Sequence, residues 1–209
     1  MLKYIVAIIA LLSLSNVSFG SMLTFDDISP GSINTYGGLT WTNIAVLDAT
    51  NYPYLSGYSG GLVSGDHVAY NAYAAIGITQ GPTFDFNSVY LAAAWNNGLQ
   101  VTVEGYLLGS LQYAQTVSLL NASSTPGSGT TKFVFNYLGI DELRLNSFGG
   151  TGAGFEGSGE HFAMDNFELN APAGTVPEPT SIVVWGLGIG LAGFVRQRRK
   201  SSIAVVQRC

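Results

Sequence analysis

The chain has 209 residues, 13 acidic and 8 basic side chains, a formal charge of −5, 27 glycines, two histidines and one cysteine. This length suits one domain with a real core plus short appendages. A lone cysteine excludes a disulfide framework, the lack of HExxH and GxSxG removes two common hydrolase signatures, and the acidic balance disfavours nucleic acid as a partner.

Residues 1–20 have the form of a secretory signal peptide. Lys3 supplies the positive start, residues 4–14 an apolar stretch, and Ser18, Phe19 and Gly20 lead to the expected signal-peptidase cut after Gly20. The body, residues 21–170, carries twelve acids against two bases, Lys132 and Arg144, so its own charge is near −10. No helical period of useful length appears in it. Instead, alternating or β-branched runs separated by Gly, Asn, Ser and Pro predict strands at 22–28, 39–47, 68–73, 75–79, 83–95, 99–106, 111–120, 132–137, 142–146 and 162–169. About ten short strands with turn signals between them predict an all-β fold, an antiparallel jelly-roll-like β-sandwich. Gly-rich loops are expected at 51–65, 121–130 and 148–159, long enough to be mobile or functional.

Residues 171–175 form a short linker before Val176, Pro177, Glu178 and Pro179, where the prolines impose an extended, exposed segment. An uncharged run follows at 182–195, which as a helix spans roughly 21 Å, against a bilayer core of roughly 30 Å. With Thr180 and Ser181 it predicts one membrane helix at about 180–195. Arg196, Arg198, Arg199 and Lys200 stop it and place the 201–209 tail in the cytoplasm, with the β-domain outside. Gly188, Gly190 and Gly193 match GxGxxG, but no βαβ unit and no following acid accompany them, so they read as small residues of a membrane helix.

This order of acidic proline turn, short apolar helix and basic stop resembles the PEP-CTERM sorting tail. The resemblance implies recognition and removal by an exosortase in the bacterial envelope. The body, through Leu23 to Asp27, Gly38 to Asn43, Phe84 to Ser88, Val101 to Tyr106 and Phe162 to Phe167, is similar to a secreted jelly-roll domain recurrent in PEP-CTERM proteins. That second resemblance brings no activity with it.

Two constellations carry candidate chemistry. Asp26 and Asp27 on the first strand with Asp165 and Asn166 on the last offer hard oxygen ligands suited to Ca²⁺, or else caps for turns and strand ends. Because successive residues point to opposite faces, one acid of each pair is available to converge. Tyr52, Tyr54 and Tyr58 lie in a Gly, Ser and Pro-rich loop and offer a platform for sugar rings, whereas Trp41, Phe84, Phe86, Tyr90 and Trp95 are expected in the core. No catalytic residue is assigned: His67 and His161 have no partner in sequence that makes them a base, and Cys209 is terminal. The expected function is therefore that of an exported, non-catalytic cell-surface or extracellular-matrix protein. The alternative is a carbohydrate-binding module for extracellular polysaccharide, with or without Ca²⁺, on the same delivery system. An ordered tyrosine-lined groove favours binding, and a smooth acidic sandwich favours the structural role.

Overall fold

Alternation of apolar side chains sets the strands. In the computed structural model, which describes residues 20–170, these are β1 (Ser21–Leu23), β2 (Gly31–Ser32), β3 (Thr35–Tyr36), β4 (Leu39–Thr42), β5 (Ile44–Asp48), β6 (His67–Asn71), β7 (Gly77–Ala93), β8 (Asn96–Asn97), β9 (Gln100–Leu107), β10 (Ser110–Ser118), β11 (Thr130–Phe148), β12 (Thr151–Gly152) and β13 (Phe162–Leu169). Single 3-10 turns occur at Ser59–Gly61 and Ala72–Ala74. All pairings are antiparallel. The signal segment, the linker, Val176 to Pro179, the apolar run and the basic cluster lie outside the described residues. Among the described residues no helix is long and apolar enough to cross a membrane.

Two long strands build both layers. Residues 77–80 of β7 pair with β4 and with residues 142–145 of β11, which continue onto β9 and then β10. Farther along, residues 88–92 of β7 pair with residues 130–134 of β11, and β13, β6, β5 and β2 follow in order. The sequence predicts breaks inside both strands, at Gly81 with Pro82 and at Gly139. The structure corrects this: both strands run on through bulges. Gln80 faces Glu142 but the next pair is Phe84 with Ile140, so the donorless Pro82 sits where no ladder bond is required. Asn136 and Gly139 take positive φ at the β11 bulges, and Asp85 Oδ1 accepts the Gly139 N–H at 2.8 Å. The expected strand at 39–47 instead divides at Asn43, φ 57°, sending β4 and β5 to different layers. The strand expected at 22–28 ends at Leu23, and Phe25, φ 63°, turns into the core. The turn between β9 and β10 has φ 50° at Leu108 and 76° at Gly109, the two positive values that match hairpin twist.

The core lies between the layers. Phe86 is stacked between Phe135 and Phe167 at centroid distances of 5.2 and 4.7 Å, and Trp41 meets Phe25 and Phe167 edge-on. Phe86 and Phe167 are fully buried. Phe86→Ala should therefore cost about 3–5 kcal/mol, seen as a lower urea midpoint with an unchanged slope.

Candidate functional site

The layer of β5, β6, β13 and the far half of β7 has an inner face of Ile44, Val46, Ala69, Leu91, Ala93, Phe162 and Met164. Its outer face presents the alternate residues, several of them small: Ala45, Leu47, Val68, Tyr70, Ala92, Ala94 and Ala163. Tyr70 faces Ala45 on one neighbouring strand and Ala163 on the other. With methyl groups on both sides, its ring has room to lie over the sheet.

Two loops cover this face. Residues 49–66 lie directly on the sheet: the Gly57 N–H donates to the Ala94 carbonyl at 2.7 Å, and a Cβ at Gly57 would stand 2.0 Å from the Ala93 carbonyl oxygen. A Cβ at Gly60 would stand 2.0 Å from the carbonyl oxygen of Ser123 in the neighbouring loop, and one at Gly61 2.7 Å from the Ala163 methyl. Residues 153–160 form the opposite wall, where Gly157 lies on the Trp95 ring. Leu55 N–H donates to Glu156 Oε2 at 2.7 Å and joins the loops. The first loop, expected to be mobile or functional, is thus pinned along its length.

Between the loops an aromatic chain runs by edge-to-face contacts. Tyr52 meets Tyr54 at 5.8 Å and Tyr58 at 5.1 Å, while Tyr58 meets Trp95 at 5.4 Å and Tyr70 at 5.3 Å. A cavity of about 470 Å³ opens beside it, within the range of ligand pockets, lined chiefly by Tyr52, Tyr58, Tyr70, Tyr73, Trp95 and His161. No charged side chain lines it, and Ser32 and Ser158 supply hydroxyls. Burial pushes the Tyr58 and Tyr70 hydroxyls upward, so both are protonated donors at neutral pH.

The three tyrosines expected as a platform divide. Tyr54 is 57% exposed and Tyr52 half-buried, but Tyr58 is only 3% exposed and packs between Trp95 and Tyr70. The loop's glycines let it lie on the sheet, which makes the burial of Tyr58 feasible. Trp95, expected in the core, is buried as expected, in the cluster on the outer face beyond the end of β7, and its edge also lines the cleft. Tyr70, Tyr73 and His161 were not assigned from sequence. Tyr73 is 94% exposed with φ 59°, a left-handed conformation that costs an aromatic residue about 1–3 kcal/mol. Nothing in the residue pattern around it signals that conformation.

The acids expected to bind Ca²⁺ also divide. Asp165 is fully buried on β13, in the stretch between its pairing with β6 at 163–164 and with β1 at 167–169. Its Oδ2 accepts the N–H groups of Val63 (2.7 Å) and Ser64 (2.8 Å), and its Oδ1 accepts that of Asn166 (2.7 Å). Asp26 Oδ1 accepts the N–H groups of Asp66 and His67, and Ser64 Oγ donates to Asn166 Oδ1 at 2.8 Å. Burial pushes the Asp165 carboxyl above the usual range against the pull of those N–H groups, and Asp26 adds to the push. Asp27 is turned elsewhere and accepts the Tyr36 hydroxyl at 2.6 Å. Asp26, Asp165 and Asn166 thus converge on Ser64, and their oxygens already hold loop donors; they clamp residues 62–67 beside the cleft. Among the described residues no group of three or more His, Cys, Asp or Glu side chains gathers.

The fold and cleft define an antiparallel β-sandwich with an uncharged aromatic groove on one outer face. Residues 175–200 match the PEP-CTERM protein-sorting motif, so the chain carries that signal of exported, envelope-associated proteins. No curated protein matches the chain. Three solved structures are similar in fold at low identity. One is TmCBM61 in complex with β-1,4-galactotriose (10% identity, 65% of this chain and 90% of that one, TM-score 0.36). Another holds the M60 catalytic domain with the CBM51-1 and CBM51-2 domains of Clostridium perfringens ZmpB (14%, 72% and 15%, 0.31). The third is the CBM22-1 xylan-binding domain of Paenibacillus barcinonensis Xyn10C (13%, 73% and 96%, 0.27).

Three outcomes follow. Asp165→Asn presents an amide N–H to backbone donors and should cost about 3 kcal/mol in chemical denaturation. With the clamp oxygens already occupied by donors, millimolar Ca²⁺ should leave the wild-type melting temperature unchanged; a Ca²⁺-dependent rise absent from Asp165→Asn would instead establish a metal site. His161 is held neutral by burial, its pKa below the usual value despite a bond with the Asn71 backbone. The unfolded chain takes up that proton near pH 6.5, so this stability is complete above that value and is lost as pH falls through the folded-state pKa. The melting temperature should drop between about pH 7.5 and about pH 5, and His161→Gln should lose that part of the drop.

Proposed function

We propose that the chain is an exported, non-catalytic, jelly-roll-like domain that binds neutral saccharide chains of the extracellular polysaccharide, delivered by its sorting tail and processed by an exosortase. The observation that carries this proposal is the aromatic cleft. Tyrosine and tryptophan present flat apolar surface and a polar edge together, which suits ligands such as sugar rings that alternate C–H faces with hydroxyls. The serine and tyrosine hydroxyls of the lining can exchange hydrogen bonds with a polyol.

Charge selects among saccharides. The domain carries twelve acids and two bases, and both bases are paired, Lys132 with Glu168 and Arg144 with Glu142. Such a field repels anionic polymers at long range, while the cleft itself holds no charge with which to bind them. A neutral chain meets neither penalty. Catalysis has little support at this site: its lining contains no carboxylate, and the Nδ1 of His161, its one imidazole, has no hydrogen-bond partner.

Tyr73 separates binding from folding. Tyr73→Gly removes the ring and relieves the left-handed backbone, so stability should hold or rise by up to about 1 kcal/mol. Retention in affinity gels carrying neutral envelope polysaccharide should fall by about tenfold in affinity, with a similar loss for Tyr52→Ala. Wild-type protein that is not retarded by any such polysaccharide would leave the structural role as the better account.

A further inference from the structure

A second cavity, of about 220 Å³, adjoins the first. Ser32, Ala72 and Tyr73 line both. The smaller one is walled by Asn34, Thr42 and Asn43 over buried Trp41, Ile33 and Ile44. Its character differs from that of the larger. The large cavity is aromatic and follows the outer face of the sheet; the small one is lined by amides and hydroxyls and opens where β4 and β5 part at Asn43.

Two adjoining uncharged cavities with a shared wall fit a chain of repeating polar units better than one compact molecule. The exposed Tyr73 ring stands at their junction, held there by a backbone turn that an aromatic residue seldom adopts. Resting on the saccharide proposal above, we infer that the cavities are consecutive subsites for a single neutral oligosaccharide. One unit lies against Tyr52, Tyr70 and Trp95, the chain passes Tyr73, and the next unit exchanges hydrogen bonds with the Asn34 amide, the Thr42 hydroxyl and the Oδ1 of Asn43, whose Nδ2 donates to the Ile76 carbonyl. The recognised class is thus an internal stretch of at least two linked neutral sugars, rather than a free monosaccharide.

Isothermal titration of the purified domain with the mono-, di- and trisaccharide of cello- and galacto-series sugars tests this. Affinity should rise at least about tenfold from mono- to trisaccharide in one series. An Asn34→Ala, Thr42→Ala double variant, its fold checked by melting temperature, should reduce that gain to less than about threefold. Equal affinity for mono- and trisaccharide, or a gain untouched by the double variant, overturns the two-subsite inference and leaves the aromatic cleft as a single-unit site. Absence of binding to every sugar overturns the saccharide proposal and the inference with it.

Discussion

The site depends on how little side chain projects from one sheet face. Ala45, Ala92, Ala94 and Ala163 leave the outer surface of β5, β7 and β13 nearly bare, which in an ordinary sandwich would be covered by longer polar residues. A bare face must be covered by something, and here the chain supplies two loops of its own. Gly57 and Gly61 bring the backbone of the first into contact with a sheet carbonyl and a sheet methyl, and Gly60 brings it against the Ser123 carbonyl of the neighbouring loop, distances no residue with a Cβ can reach without displacing its neighbour. Tyr70, flanked by two alanines, then becomes the floor on which Tyr58 packs, and Trp95 packs in turn against Tyr58. The cleft is the gap between two loops that are each held close to that floor.

Rigidity at the floor comes from the strands it shares with the other layer and from the clamp at its edge. Strands β7 and β11 run through both layers, so bending one layer away from the other would break ladders in both. The core rings Phe86, Phe135 and Phe167 are stacked where those strands cross between layers. At the β13 edge, the stretch between β6 and β1 leaves backbone donors of residues 63–67 without a strand to receive them. Asp165 and Asp26 take that place and accept four of those N–H groups. A buried carboxylate is costly unless its oxygens are satisfied, and here the same bonds that satisfy it anchor the covering loop.

Much of this is legible in the residues. Alternation identified β9 and β13 to within about a residue. The bulges were not legible, because Gly81, Pro82 and Gly139 read locally as strand ends, and only the pairing of β7 with β11 shows that the strands continue. The burial of Tyr58 was hidden for a similar reason: a Gly and Ser-rich loop looks solvated until the alanines beneath it are placed on one face. Tyr73 is the extreme case. Its φ of 59° is imposed by the turn at Ala72–Ala74, and no local pattern distinguishes it from a buried strand tyrosine.

The distribution of charge ties the sorting tail to the cleft. Half of the chain's basic residues lie at 196–200, at the end of the sorting motif, so the domain ahead of it is far more acidic than the whole chain. Removal of that tail, as exosortase processing entails, would release a strongly anionic domain whose aromatic groove is neutral. Such a domain avoids anionic surfaces yet keeps short-range apolar and hydrogen-bonding contacts, which salt screens little. On the saccharide proposal, an open groove of this size is suited to modest affinity for each chain segment. Many copies displayed along one polymer would add avidity through effective concentration rather than through new contacts. On that basis, retention at the cell surface would depend on how many copies are exported as much as on any single aromatic residue.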